Sequence, residues 1–401
     1  MSIAIPRASA SPWGTASPRP RAPEVTLIPP GHSARIVDAL IGMLLVYRMA
    51  VPGIPVPIPQ LAAMALICVA VFRRPTRSFG TAWWYPLVMP ALLLFLVVET
   101  WANDIDPMRR AASFAVLMLF AGFLASGRID IGSVLKGLGV ALVLNTVLFY
   151  ARVAPDAYLG KLTGYLQDKN AAALIYAAGA ILIAMVSRRV WVRLLVLAAG
   201  GVAVVLTDSR TTMAAYGVAL VYLLVSTWMQ RGFQLVTLLV GVLAFLWADD
   251  NLTKLGDYAF DRKGSDAFRM RIDFASSLKA QAAPWYGSGL GEATVDLDSG
   301  TWFFHNSYQA LIVEGGTVLF VVTIAAYAIV GLGLSDRGFV DAMRFDARAV
   351  TAATLVVFLC AVRLGEVFFA PIGFLVLGVG LARLLEPIDS SAAARPWWAA
   401  T

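Results

Sequence analysis

One of only two histidines in this 401-residue chain, His305, stands in the stretch TWFFHNSYQALIVEGG (301–316), where a long polar segment turns apolar. An imidazole at the start of a helix feels the positive end of the helix dipole, which favours the neutral form that a general base requires. Asn306 and Ser307 can serve the unpaired amides of that helix start, and Gln309 and Gly316 fall on or near the face of His305. The competing role for such a histidine is an interfacial residue holding one hydrogen bond. A second chemistry-bearing segment, TDSRTT (207–212), joins two apolar runs and sets Arg210 at the start of the second, beside Asp208. A charge at that depth is costly unless it is paired or used. Arg210 therefore either anchors the helix end by pairing with Asp208 or contacts an anion, because a guanidinium matches phosphate oxygens bidentately. A third segment, GYLQDKNAAALIYAAG (164–179), places Asp168, Lys169 and Asn170 before a run of small residues. Asp or Asn there caps a helix start, and the small residues permit close helix packing.

The elements that must position these residues follow from composition. The chain is 59% hydrophobic and 14% charged, with a mean hydropathy of +0.74. Those values lie outside the range of soluble domains and indicate a membrane protein. Only helices or closed barrels satisfy the backbone in lipid, and apolar runs of helix-spanning length recur along the sequence. The expected fold is an all-α polytopic bundle of about twelve spans, near 34–51, 54–72, 81–98, 111–126, 131–151, 170–187, 190–207, 211–229, 233–248, 303–333, 348–364 and 367–385. An even number puts both termini on one side. The basic segments at 73–77, 187–193, 230–233 and 336–348 assign that side to the cytoplasm. Residues 1–33, rich in Pro, Ser, Ala and Arg, read as a disordered cytoplasmic tail, 34–385 as one transmembrane domain, and 386–401 as a cytoplasmic C-terminal tail.

This topology leaves residues 152–170, the turn at 207–212 and the large loop at about 249–302 on the extracytoplasmic face. Within the large loop, Phe268, Ile272, Phe274, Ala275 and Leu278 recur near helical spacing, which predicts an amphipathic helix over about 267–283 lying on the membrane surface, with Arg269 and Arg271 in its first turns. The following PWYGSGLGE only superficially resembles a nucleotide-binding fingerprint; with no strand before it, it reads as a glycine-rich turn. Arg363, Glu366 and Arg48 fall near outer span ends, either lining the same cavity or, for Arg363 and Glu366, pairing with each other three residues apart. Tyr308 and Trp302 can stack on a sugar or belong to an aromatic belt. The two cysteines, Cys68 and Cys360, lie in apolar runs as small core residues. No carboxylate motif points to a metal ion, and the net charge of +7 is scattered over short loops, which indicates topology and lipid headgroups rather than nucleic acid.

Four segments in one order, GYLQDKNAAA, DSRTT, an arginine-containing loop helix leading into PWYGSGLG, and HNSYQALIVEGG, resemble the O-antigen polymerase and O-antigen ligase superfamily over roughly residues 160–335. The resemblance implies a multi-pass glycosyltransferase of the bacterial cytoplasmic membrane that takes an undecaprenyl-diphosphate-linked oligosaccharide without a cofactor. It further implies a chain-length regulator and a flippase as partners. By position, it implies that His305 activates the acceptor hydroxyl and that Arg210, with Arg269 or Arg271, holds the diphosphate. Lys169, Asn170, Asp208, Asn306, Gln309, Arg363 and Glu366 complete the expected substrate-binding set. Polymerase is the leading activity and ligase the alternative. A lipid-linked sugar flippase would place polar residues at the membrane midplane in related halves, whereas here they collect at one face.

Overall fold

The computed structural model describes residues 27–28, 34–51, 53–252, 263–297, 300–334 and 344–388. Most of the expected N-terminal tail, the C-terminal residues after 388, residues 253–262 of the large loop and residues 335–343 of a basic loop lie outside the described residues. Thirteen α-helices occur among the described residues: α1 Ile36–Met43, α2 Ile58–Val71, α3 Tyr85–Ala102, α4 Met108–Ala125, α5 Ile131–Tyr150, α6 Lys169–Ala184, α7 Val190–Leu206, α8 Arg210–Val225, α9 Arg231–Leu252, α10 Lys263–Ala282, α11 Ser307–Gly331, α12 Phe345–Ala361 and α13 Pro371–Leu384. Each expected apolar run contains one of them, and α10 covers the expected loop helix. Gly80–Ala102, α4, α5 and α11 are long and apolar enough to cross a membrane by length and composition, and seven further apolar helices are shorter. The molecule is thus a helical, multi-pass membrane protein.

The arrangement explains the short helices. In α6, α12 and α13 nearly every residue is buried, so these helices are surrounded by protein and need not match the thickness of lipid. Alanine and glycine dominate α6, which lets α7 and α12 pack closely against it. Large apolar side chains instead point outward from the peripheral helices, among them Leu94 on α3, Val202 on α7 and Leu239 on α9. Cys360 is buried as expected, but Cys68 is exposed on α2.

Two expectations need correction. The first run does not form a full-length span: α1 passes into a 3-10 turn that ends at Val46, and Ala50–Val51 (β1) then pairs antiparallel with Ile54–Pro57 (β2). The sequence VPGIPVPIP supplies few amide donors, so no helix can run through it, and α2 begins only at Ile58. The large loop is also not purely helical. Thr294–Leu297 (β4) and Gly300–Phe303 (β5) form an antiparallel hairpin leading to His305. A further short pair joins Arg77–Ser78 (β3) to Glu386–Pro387 (β6).

The loop helix does not lie on the membrane through the face expected for it. Phe268, Ile272 and Ala275 of α10 pack with Val295, Phe304 and Val313 into a small second core, while Phe274 and Leu278 are exposed. The hairpin and α11 therefore compete successfully with lipid for the apolar side of α10. Trp302 is part of this packing, edge-on to Phe268 with ring centroids 4.9 Å apart, rather than a free sugar platform. Tyr308 is likewise structural, donating to the Phe358 carbonyl at 2.8 Å and packing against Phe368.

Helix α11 is broken at Gly315 and Gly316, where the segment Pro284–Gly291 docks as the expected glycine-rich turn. Ser288 donates its backbone N–H to the Val313 carbonyl at 2.7 Å, and Thr317 donates to the Trp285 carbonyl at 2.8 Å, so the turn supplies bonds that the kinked helix gives up. Gly316 has φ +64 and ψ −162, a region open essentially to glycine alone, and a methyl there would collide with the Trp285 carbonyl. Gly316→Ala is accordingly expected to destabilise the fold by at least about 1–3 kcal/mol. Thermal unfolding in detergent checks this, and an unchanged midpoint would contradict the docking described here.

Candidate functional site

Connections at the two ends of the bundle differ in charge. One end is built around arginine. Arg73 binds the buried Asp38 carboxylate at 2.7 Å, Arg35 donates to the Arg128 carbonyl at 2.8 Å, and Arg193 lies 4.1 Å over the Phe345 ring. At the opposite end, every expected site residue is found.

There, Asn306 caps α11 as its sequence predicts, its Oδ1 accepting from the backbone N–H groups of Tyr308 at 2.9 Å and Gln309 at 3.2 Å. Its side-chain oxygen is thereby committed to the helix cap. Ser307 is buried: its hydroxyl donates to the Leu364 carbonyl and accepts from the Val367 N–H. This bond ties the turn between α12 and α13 to the start of α11 and brings Arg363 beside His305. The imidazole stands ahead of the cap, outside the first helical turn, so its position depends on a neighbour more than on the dipole. That neighbour is Asp273 of α10, whose Oδ1 is 3.4 Å from His305 Nδ1. The other carboxylate oxygen of Asp273 is 3.7 Å from the Arg363 guanidinium. All three side chains are about two-fifths exposed, open enough to meet a substrate. A carboxylate at Nδ1 favours the tautomer with the proton there and leaves Nε2 as the acceptor.

Beside this group sits an ion cluster built on one buried carboxylate, Glu314. Arg110 of α4 contacts Glu314 of α11 at 3.0 Å and Glu366 at 2.7 Å, with its guanidinium 5.3 Å from the Phe369 ring centre. Glu314 is 1% exposed and also accepts from the Gly291 N–H at 3.3 Å. Glu366 thus finds its strong partner in Arg110 and Arg363 in Asp273, rather than the two forming the expected i,i+3 pair. Glu99 of α3 adjoins the cluster, accepting from Asn103 at 3.0 Å and from the Thr100 hydroxyl at 3.3 Å.

A third layer gathers the helix-connecting turns at this same end. Asp168 caps α6, accepting from the N–H groups of Asn170 and Ala171, and takes the Tyr158 hydroxyl at 3.0 Å. Burial and then Asp168 push the Tyr158 phenol above its ordinary pKa, while the charges of Arg269 and Arg48 pull it back. Arg269 and Arg48 are therefore close to this layer. The Asn170 side chain accepts from Ser209 at 3.0 Å, and Lys161 pairs with Asp208. Asp208 is thus bound across to the neighbouring loop at 152–168, whose Leu162 N–H also reaches the Leu206 carbonyl at 2.9 Å. Lys169 is buried as the first residue of α6 and Gln309 is half-buried on α11, whereas Arg210 is exposed at the first position of α8. Along α10, Arg269 precedes Asp273 by four residues and shares its face, whereas Arg271 does not. The loop helix thereby links the His305 group to the layer holding Arg210.

Sequence reasoning missed Asp273, Arg110 and Glu314. Glu314 carried a signal, a lone carboxylate inside the apolar LIVEGG, which at that depth requires a cation. Asp273 carried none, since alternation of charge on an amphipathic helix is ordinary.

The fold and this layer define a multi-pass helical membrane protein whose polar chemistry is concentrated at one end, around a histidine with carboxylate and guanidinium neighbours. Residues 194–324, from α7 through the large loop to α11, match the family model described as O-antigen ligase, so this part of the chain is similar to that family. No curated protein matches the chain.

Proposed function

We propose that the protein is a polysaccharide polymerase that transfers a glycan from an undecaprenyl-diphosphate-linked donor to a sugar hydroxyl of a lipid-linked acceptor. The reading places the reaction on the outer face of the bacterial cytoplasmic membrane, with twelve helical segments in the membrane and the arginine-built end in the cytoplasm. The observation that carries it is the contact of His305 Nδ1 with Asp273 beside Arg363, at the end where Arg210 and Arg269 also lie. In the reaction, the acceptor oxygen forms a bond to the anomeric carbon as the bond from that carbon to the diphosphate breaks. The hydroxyl proton passes to His305 Nε2, and the diphosphate leaves with the bonding electron pair. Arg210, Arg269 and Arg363 offset the growing negative charge at the dry membrane edge, a role the proposal gives to guanidinium groups rather than to a metal ion. The position of Arg269 on the Asp273 face favours it over Arg271 as the diphosphate contact.

The ligase reading, transfer of the finished chain to a lipid A core or a protein, has in its support the similarity of residues 194–324 to the O-antigen ligase family. Purified protein given one lipid-linked repeat unit separates the two. A ladder of extended products supports polymerase, whereas turnover that appears only when a second class of acceptor is added supports ligase.

Two variants test the roles within the site. Asp273→Asn keeps the shape and removes the charge that orients the imidazole; turnover is expected to fall about 10²-fold or more with KM little changed. Equal turnover would mean that Asp273 is only a surface partner. Arg210→Lys keeps the charge and removes the fork, so the donor KM is expected to rise about tenfold, and near-wild-type kinetics would return Arg210 to a helix-end anchor.

A further inference from the structure

Helices α7 and α12 start beside one another at the arginine-built end of the bundle, where the Arg193 guanidinium of α7 lies 4.1 Å over the ring of Phe345, the first residue of α12. Arg189 and Arg344 hold the two cap positions, and neither helix start is met by a side-chain cap. Two helix N-termini thus add their positive ends to a group of guanidinium groups. Arg348, the fourth residue of α12, is 9% exposed. One of its terminal nitrogens donates to the Leu223 carbonyl at 3.2 Å, closing the end of α8, but its buried Nε meets no acceptor. Arg193 donates from Nε to the Ser187 carbonyl at 2.6 Å, which leaves its terminal nitrogens for another group. The charge of Arg193 bears on Arg348, and that of Arg188 on Arg193. Among the described residues no carboxylate forms an ion pair with Arg193 or Arg348; the nearby Asp346 is bound by Arg344 at 3.2 Å and by the Ala347 N–H at 3.0 Å. A buried cation with an unmet donor is costly, and repulsion between neighbouring guanidinium groups adds to the cost. An anion at this point relieves both.

We infer that Arg193 and Arg348, at the joined starts of α7 and α12, bind a phosphate group, carried on an anionic lipid headgroup or free in solution. A tetrahedral oxyanion accepts from two guanidinium groups and from helix-start amides at once, which a chloride ion cannot reproduce. Position favours the lipid source, because Val190 and Leu194 of α7, on the flank of Arg193, are exposed apolar side chains against which acyl chains can lie. The site stands at the end opposite His305 and does not depend on the glycan-transfer reading.

The test is thermal unfolding of the delipidated full-length protein in neutral detergent, with phosphatidylglycerol or phosphatidylcholine added. Separately, sodium phosphate is compared with sodium chloride at matched ionic strength. Phosphatidylglycerol is expected to raise the midpoint by about 2–4 °C, with phosphatidylcholine giving no such rise. Arg193→Gln and Arg348→Gln should each lose most of that rise, whereas Arg74→Gln, at an exposed arginine of the same end, should keep it. Arg348→Gln also breaks the bond to Leu223, so Arg193→Gln, a half-buried position, decides the matter if the other variant fails to fold. A rise produced by phosphate over chloride and lost in Arg193→Gln supports the site and assigns it to the free ion; a rise with phosphatidylglycerol alone assigns it to a lipid headgroup. No rise with either, equal rises with the two lipids, or a rise that survives intact in Arg193→Gln overturns the inference.

Discussion

Replacing Arg110 with alanine is expected to destabilise the folded protein by about 3–5 kcal/mol, because it strands the buried Glu314 carboxylate without its cation. Glu314 is 1% exposed, and apart from Arg110 its carboxylate is met by the weaker Gly291 N–H at 3.3 Å. The loss would not stay local. Arg110 reaches from α4 to both Glu314 on α11 and Glu366 in the turn before α13, so it ties together the two segments that carry His305 and Arg363. Arg110→Lys should recover only part of the stability, because one ammonium cannot reproduce a guanidinium shared between two carboxylates. Combining Arg110→Ala with Glu314→Gln should recover part of it by removing the stranded charge, a coupling that a double-mutant cycle measures. Thermal unfolding of the four proteins in detergent is the readout. A midpoint unchanged in Arg110→Ala would show that the cluster does not hold the fold, and strictly additive variants would show that Arg110 and Glu314 act independently.

How far the sequence leads depends on the range of the interactions involved. Helices were legible because lipid forces backbone bonds to close within each segment, and the Asp168 and Asn306 caps were legible because a cap acts over three residues. The broken first run was readable in principle from VPGIPVPIP, yet apolarity masked its prolines. Contacts between distant segments were not legible. Asp273 meets His305 only because Phe268 and Ile272 seat α10 on the hairpin and on α11, and nothing in FRMRIDF announces which face turns inward. The same holds for Glu366, whose near neighbour Arg363 suggested a local pair before Arg110, more than 250 residues earlier in the chain, proved to be the closer cation. The kink of α11 stands between these cases: the paired glycines were visible, but the turn at Pro284–Gly291 that fills the break belongs to another segment.

Loss of His305 should have the largest effect on activity. A positioned general base contributes about 10²–10⁴-fold, and the only other histidine in the chain, His32, lies in the expected cytoplasmic tail rather than the outer loop, so no imidazole there can substitute. The side chain is more than a third exposed and its ring nitrogen contacts only a partly exposed carboxylate, so its removal should leave the fold intact. That separates it from Arg110, whose loss acts through stability. The most direct measurement is therefore elongation of a purified lipid-linked repeat unit by membrane-reconstituted His305→Ala, compared with wild type at matched insertion and matched thermal midpoint. The account predicts that chain growth falls by about 10²–10⁴-fold while the variant unfolds at the wild-type temperature. Undiminished elongation by the folded variant would contradict it.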